Sequence, residues 1–341
     1  MRRSGDHAGG RLRVVMHIGP HKTGTTYMQA NFWHHAKALQ ERGWLYPAIG
    51  ERVGIAHHDL ADNGHHFLKQ EGHAYDDLKR VIEQADERKL NVLLSSEGFR
   101  RWKPQHFKAI RRMIGNRSLE IVYTLRDPYD MFYSFWAQKV KNGATFSLPE
   151  HMRQHFTDPF ASHLLNPLIE IEPVLKLKGA RYTVLLYDRL RREKRDICQF
   201  FLEKILGVGD LVPVQDAAAN ERLPLEMTEF LRLLSKDSGH PRGRVQARRG
   251  LHIGDVLRFL FTAREKKRIA ETIRRQGVAA RHVKTLSRST PEFIALEKRL
   301  RRRLRGVMRP PPRGRRLFSQ EPATWAYYEE QELRQVPDVA R

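Results

Sequence analysis

Four short runs of aliphatic and β-branched residues stand out along the chain: LRVVMHI at 12–18, LNVLLSS at 90–96, LEIVYTL at 119–125 and RYTVLLY at 181–187. They are close to continuous in apolar residues rather than alternating, the pattern of strands covered on both faces. Between and after them, apolar positions recur at helical spacing over about 25–41, 75–88, 104–114, 128–142, 164–178 and 190–206. A strand followed each time by a helix predicts an α/β fold, a mostly parallel sheet flanked by helices. Ligands in such sheets bind beyond the carboxyl ends of the strands. Those ends are Gly19 to Thr26, Glu97 and Gly98, Arg126 and Asp127, and Tyr187 to Arg189.

Downstream of 223 the pattern is helical, with LPLEMTEFLRLLS and AREKKRIAETIRRQ as the clearest amphipathic pieces, and no strand signal. The segment 298–316 contains no acid and includes a Pro triplet, which predicts a helix ending in an extended basic stretch. The expected organisation is one domain over 1–290, with core strands and cofactor site at about 12–207 and a helical part at 220–290, followed by a basic helix and tail over 291–341. Cys198, the single cysteine, falls in the amphipathic stretch DICQFFLEKIL and is expected to be a buried helix residue. No run has the length of a membrane span and the first residues lack a secretory apolar stretch, so the expectation is a soluble, cytoplasmic protein.

Charge narrows the partners without choosing among them. The chain has 62 Lys and Arg against 39 Asp and Glu, a formal net charge of +23, so its ligands should be anionic. Nucleic acid, a membrane surface, a phosphorylated cofactor and an acidic saccharide all qualify. No helix-turn-helix, zinc-finger or aromatic RNA-binding pattern is visible, which argues against a specific nucleic-acid partner. The basic 298–316 segment reads as a solvated tail or as a peripheral contact for an anionic membrane surface.

The chemistry is concentrated in HIGPHKTGTT at 17–26. A strand, a glycine-containing turn and a helix N-terminus converge free backbone N–H groups and the helix dipole on one point, which is an anion site. In a nucleoside triphosphatase the second glycine is followed by lysine; here Thr25 stands in that place and the cation is Lys22, inside the loop. The second element is VYTLRDPYDMFYSFWAQ at 122–138, a strand ending in Arg126 with Ser134 eight residues on. A guanidinium fork and a hydroxyl can together hold one dianionic group.

With these two motifs in this order, the chain resembles the sulfotransferases that use 3′-phosphoadenosine 5′-phosphosulfate (PAPS), in particular bacterial carbohydrate-type members. The resemblance implies a P-loop nucleoside-triphosphatase-like fold with a helical, basic C-terminal region. It implies a 5′-phosphosulfate loop of Lys22, Thr23, Gly24, Thr25 and Thr26, and a 3′-phosphate site of Arg126 and Ser134. LLYDRLRREKRDICQFFLEKILG at 185–207 is similar to the family's strand, tyrosine-acid pair and helix, which implies Tyr187 near the adenine. RRGLHIGDVLRFLFT at 248–262 is similar to a late family segment, with one residue inserted and Val256 in place of a tryptophan; it implies Arg248, Arg249 and Gly250 as further 3′-phosphate contacts.

Sulfuryl transfer from PAPS is an in-line displacement that calls for positioning and cationic stabilisation, with no metal required. Lys22 would stabilise the departing phosphate, and a base must take the proton of the acceptor hydroxyl or, less readily, amine. The candidates are Glu97 in LLSSEGF, just past a predicted strand, and His57 and His58 in IAHHDL. The implied acceptor is a carbohydrate or glycolipid, and the basic surplus favours an anionic one. Two other readings stay open: a nucleotide-dependent small-molecule kinase with an atypical P-loop, and an RNA- or membrane-binding protein on an inactive P-loop scaffold.

Overall fold

The computed structural model describes residues 11–50, 54–215, 223–237, 261–285, 287–312, 317–318 and 324–336. Its strands are β1 (Arg13–His17), β2 (Trp44–Leu45), β3 (Asn91–Ser95), β4 (Ser118–Leu125), β5 (Ala180–Leu186), β6 (Arg281–Lys284), β7 (Met308–Arg309) and β8 (Thr324–Tyr327). The four apolar runs became β1, β3, β4 and β5, each within a residue of its expected start. The chain divides into two compact units, one formed by 1–127, 167–220 and 297–318, the other by 128–166, 221–296 and 319–341.

The first unit contains a six-stranded sheet in the order β2-β3-β1-β4-β5-β7. Every strand pair in it is parallel, as expected of strands that are apolar on both faces. Val15, Leu93, Val122 and Leu185 pack on one face with Met28 and Phe32 of the first helix and with Cys198, Phe201 and Leu202. Ile121, Tyr123 and Val184 belong to the other face and share a small apolar cavity with Ile171 and Val174 of the helix Leu168–Leu175. Cys198 is fully buried, and burial raises its thiol pKa.

Two expectations about helices need correction. The pattern over 25–41 is two helices, Thr25–His34 and Ala36–Glu41, with His35 between them. The pattern over 190–206 begins earlier, at Tyr187, and splits into Tyr187–Arg192, Ile197–Phe201 and a π-helical turn Leu202–Leu206. The charged run RREKRD interrupts it, and Asp196 restarts it by accepting the Gln199 N–H at 2.8 Å, a helix N-cap.

The expectation of no strand beyond 223 is overturned. β7 adds a parallel edge to β5, and in the second unit β6 and β8 form an antiparallel pair. These strands are two to four residues long, MR, RHVK and TWAY, so no apolar run announces them; their partners impose the conformation. The described residues of the second unit also form the helices Pro128–Lys141, Leu148–Phe156, Leu225–Asp237 and Ala263–Arg275. Ser147 with Glu150 and Thr262 with Glu265 form reciprocal capping boxes that start two of these helices. Phe132 stacks on Trp325 at 5.1 Å and on His151 at 4.6 Å to form its aromatic centre.

One charge is built into the sheet. Glu120 of β4, 4% exposed, accepts from Arg13 Nη2 at 2.6 Å and from the Thr183 hydroxyl at 2.8 Å. Removing one partner of such a pair leaves an uncompensated buried charge. Arg13→Met should therefore cost about 2–3 kcal/mol in urea unfolding, and adding Glu120→Gln should recover at least about half of that loss. Two costs that simply add would show that the pair is solvent-screened and not a sheet constraint.

Candidate active site

The reversal of strand order lies at β1, which has β3 on one side and β4 on the other. Ladder bonds run past the strand ends: Ser96 N–H to His17 O at 3.1 Å, Ile18 N–H to Val122 O at 2.9 Å and Thr124 N–H to Gly19 O at 2.8 Å. They bring the loop after β1, the end of β3 and the end of β4 to one crevice, the usual ligand position of an open parallel sheet.

The loop is held by its own backbone. Gly19, Lys22 and Gly24 have φ of 86, 67 and 78°, all in the left-handed region. For a lysine that conformation costs on the order of 1–2 kcal/mol, and the turn is fixed by two contacts. The Thr23 hydroxyl donates to Pro20 O at 2.7 Å, and Lys22 O accepts from Arg126 Nη1 at the end of β4. The first helix follows directly. A bond from Met28 N–H to Gly24 O at 3.0 Å closes its first turn, so the N–H groups of Thr25, Thr26 and Tyr27 precede that turn, an arrangement suited to an anion.

Glu97 opens the turn of 3₁₀-helix Glu97–Arg101 after β3 and is 5% exposed. The Thr25 hydroxyl donates to its Oε1 and Gln29 Nε2 to its Oε2 at 3.2 Å. Thr25 and Gln29 are one turn apart on the same helix face. His21 Nδ1 lies 3.8 Å from Oε1 and His58 Nε2 3.9 Å from Oε2. Burial alone would raise the carboxyl pKa; the Thr25 bond, His21, the residue's own N–H and Gln29 outweigh it and hold the group below the usual carboxylate value. Glu97 is therefore an ionised, buried carboxylate. Each carboxylate oxygen accepts more than one hydrogen bond, which leaves acceptor capacity on the side of the two histidines.

The paired histidines divide. His57 is 3% exposed; its Nδ1 accepts the Ser95 N–H at 3.0 Å and its Nε2 bonds Pro47 O at 2.9 Å. Both ring nitrogens are engaged with the backbone, so His57 ties β3 to the chain at Pro47. Burial lowers its pKa to about 4. His58 is half-exposed, and its Nδ1 lies 2.9 Å from Ser96 Oγ. Ser96 Oγ already accepts the Gly98 N–H at 3.1 Å, so its hydroxyl is available to donate to His58 Nδ1, with the ring proton on Nε2 towards Glu97.

On the other flank, the Arg126 guanidinium lies over the Tyr187 ring at 5.0 Å, a cation–π contact. A Cβ built on Gly24 would come within 3.9 Å of Tyr187 Cε2, so the loop, Arg126 and Tyr187 adjoin. Asp188 Oδ2 accepts the Asp127 N–H, which fixes the end of β4 against the start of the helix Tyr187–Arg192. Ser134 lies on the helix Pro128–Lys141 of the second unit. Arg248, Arg249 and Gly250 lie outside the described residues.

The first unit thus brings together Lys22, Thr23, Gly24, Thr25, Thr26, Glu97, His58, Arg126 and Tyr187. Sequence reading did not assign His21 and Gln29. Gln29 had a usable signal, the i, i+4 spacing from Thr25; His21 had only its place beside Lys22. Its imidazole pKa is lowered to about 4 by desolvation, against the pull of Glu97 and with repulsion from Arg100, His58 and Lys22.

The sheet order and the glycine-containing loop that leads into a helix N-terminus beside a buried carboxylate define a P-loop-like α/β protein. A family model for the sulfotransferase domain matches residues 13–200, more than half of the chain. The chain belongs to that family, and its class of chemistry is sulfuryl transfer. No curated protein matches it.

Buried histidines in this unit set a pH limit on its stability. His17 and His57 are each lowered from 6.5 to about 4, chiefly by burial. The unfolded chain binds their protons below pH 6.5 while the folded one resists, so stability is full above 6.5 and falls as pH drops towards 4. The loss should reach on the order of 3 kcal/mol per histidine. Urea unfolding at pH 7, 5.5 and 4.5 should show this decline, and His57→Gln, although destabilising at pH 7, should make it shallower. An unchanged slope would remove His57 from the account.

Proposed function

We propose that the protein transfers a sulfuryl group from PAPS to a hydroxyl of a carbohydrate or glycolipid acceptor. The observation that carries this reading is the fastening of the first helix's N-terminus to the buried Glu97 through the Thr25 hydroxyl, directly after the turn that contains Lys22. The site fits the donor at three points. Helix N-terminal N–H groups suit the 5′-phosphosulfate, the Arg126 fork suits the 3′-phosphate, and the Tyr187 ring offers a face for the adenine. The bound donor supplies an activated sulfuryl group.

Lys22 stabilises negative charge as it develops on the leaving phosphate oxygen, where a fixed cation contributes most. The N–H groups of residues 23–26 orient that phosphate. Glu97 takes the proton of the acceptor hydroxyl on the acceptor position that each carboxylate oxygen keeps beside its bond from Thr25 or Gln29. With a lowered pKa it is a weak base for a ground-state alcohol, so the proton moves late, once the oxygen has begun to bond to sulfur. His58 and His21 flank the carboxylate and position the approaching hydroxyl.

Transfer of label from [³⁵S]PAPS to a panel of oligosaccharides and glycolipids tests the reading directly. Lys22→Ala should lower kcat by about 10²–10³-fold with a much smaller change in donor affinity. Loss of donor binding with unchanged kcat would place Lys22 outside the chemistry. The base has its own signature. With Glu97 as base, initial-rate kcat/KM should hold as pH falls through 6.5 and decline only below about 4.5, measured before acid unfolding sets in. An acid limb near 6.5 that vanishes in His58→Gln would assign the proton to His58 instead.

A further inference from the structure

A second basic feature of the first unit lies away from the crevice at β1. The helix Pro291–Arg303 turns at Gly306 into β7, the edge strand beside β5. Lys298, Arg301, Arg302, Arg305, Gly306, Met308 and Pro312 line a groove of about 470 Å³ there. Its lining has four cations and no acid.

The helix sorts its charges by face. Arg299 and Arg303, four residues apart, both reach Glu172, at 2.6 and 3.4 Å. Lys298, Arg301 and Arg302 recur at i, i+3 and i+4 on a different stripe of the helix, Arg305 follows in the turn after it, and the four meet at the groove. Lys298, Arg302 and Arg305 are exposed. Lys298 and Arg302, four residues apart on the helix, repel one another, and a bound anion offsets that repulsion. A solvated face needs no concavity. Here the cations surround one, and Arg309 donates to the carbonyls of two lining residues, Gly306 O and Met308 O, both at 2.9 Å.

The cations are spread along the chain from Lys298 to Arg305, which suits a chain of spaced negative charges better than one compact phosphate. Among the described residues no aromatic side chain lines the groove, so they offer nucleic-acid bases nothing to stack on. Among the described residues its apolar lining is Met308, which is buried, and Pro312, so they present no apolar face to a bilayer. We infer that this groove is a binding site for an acidic saccharide chain, one bearing sulfate or carboxylate groups, outside the site of sulfuryl transfer. Choosing a saccharide rests on the carbohydrate acceptor proposed above. The groove would hold an already charged stretch of the polymer while a hydroxyl elsewhere on it reacts.

The test is binding without turnover, so that it stands apart from the donor assignment. Full-length protein is titrated with a size-defined, heparin-derived oligosaccharide at several salt concentrations. Comparison is made with the triple variant Lys298→Gln/Arg302→Gln/Arg305→Gln and a control variant, Lys79→Gln/Lys108→Gln/Arg112→Gln, which removes the same charge from other exposed positions of the unit. All six positions are exposed, and circular dichroism checks folding. The groove variant should bind at least about tenfold more weakly and with a flatter salt dependence, while the control stays within about twofold of the parent. Equal loss in both variants would reduce the effect to net charge and overturn the site. Groove-dependent binding of single-stranded RNA or of phosphatidylserine vesicles, with none of the oligosaccharide, would overturn its assignment to a saccharide.

Discussion

The first unit depends on keeping one carboxylate charged in its interior. Glu97 is nearly inaccessible, and an ion there persists only with hydrogen bonds around it. Thr25 and Gln29 supply them from the first helix and the Glu97 N–H from the residue itself. The same bonds fasten the helix N-terminus to the end of β3, so the anion cradle and the carboxylate cannot be placed independently. The approach is close enough that a Cβ on Gly19 would meet Glu97 Cα at 3.1 Å. Glycine at 19 thus answers both the left-handed backbone and the lack of space.

The displaced lysine follows from the same geometry. With Thr25 required by Glu97, the position after the second glycine is not available for a cation. Lys22 occupies the turn instead, at a left-handed φ that its carbonyl contact with Arg126 helps to hold. That contact links the loop to β4, and Arg126 in turn lies over Tyr187 at the end of β5. Cradle, carboxylate and aromatic face therefore come from β1, β3, β4 and β5, whose parallel register was set by continuous apolar runs.

Those runs made the central sheet legible in the sequence, because strands buried on both faces cannot hide their composition. The loop was legible for a different reason, since its glycines and lysine have few alternative uses at a strand end. What escaped reading was structure fixed by partners rather than by local pattern. β2, β7 and the β6–β8 pair are too short to show a period, and the capture of residues 308–309 by β5 has no local signal at all. His57 and His58 were indistinguishable as adjacent letters. Only the fold shows that one spends both nitrogens on the backbone while the other stays beside Glu97.

The central claim is that the crevice at β1 is built for a nucleotide with both a 5′- and a 3′-phosphate. Calorimetric titration of the protein with 3′-phosphoadenosine 5′-phosphate and with ADP, in metal-free buffer, addresses it most directly. The account predicts micromolar or tighter binding of the bisphosphate, at least about tenfold stronger than ADP, with that preference lost in Arg126→Ala. Equal affinity for the two nucleotides, or a preference that survives Arg126→Ala, would contradict it.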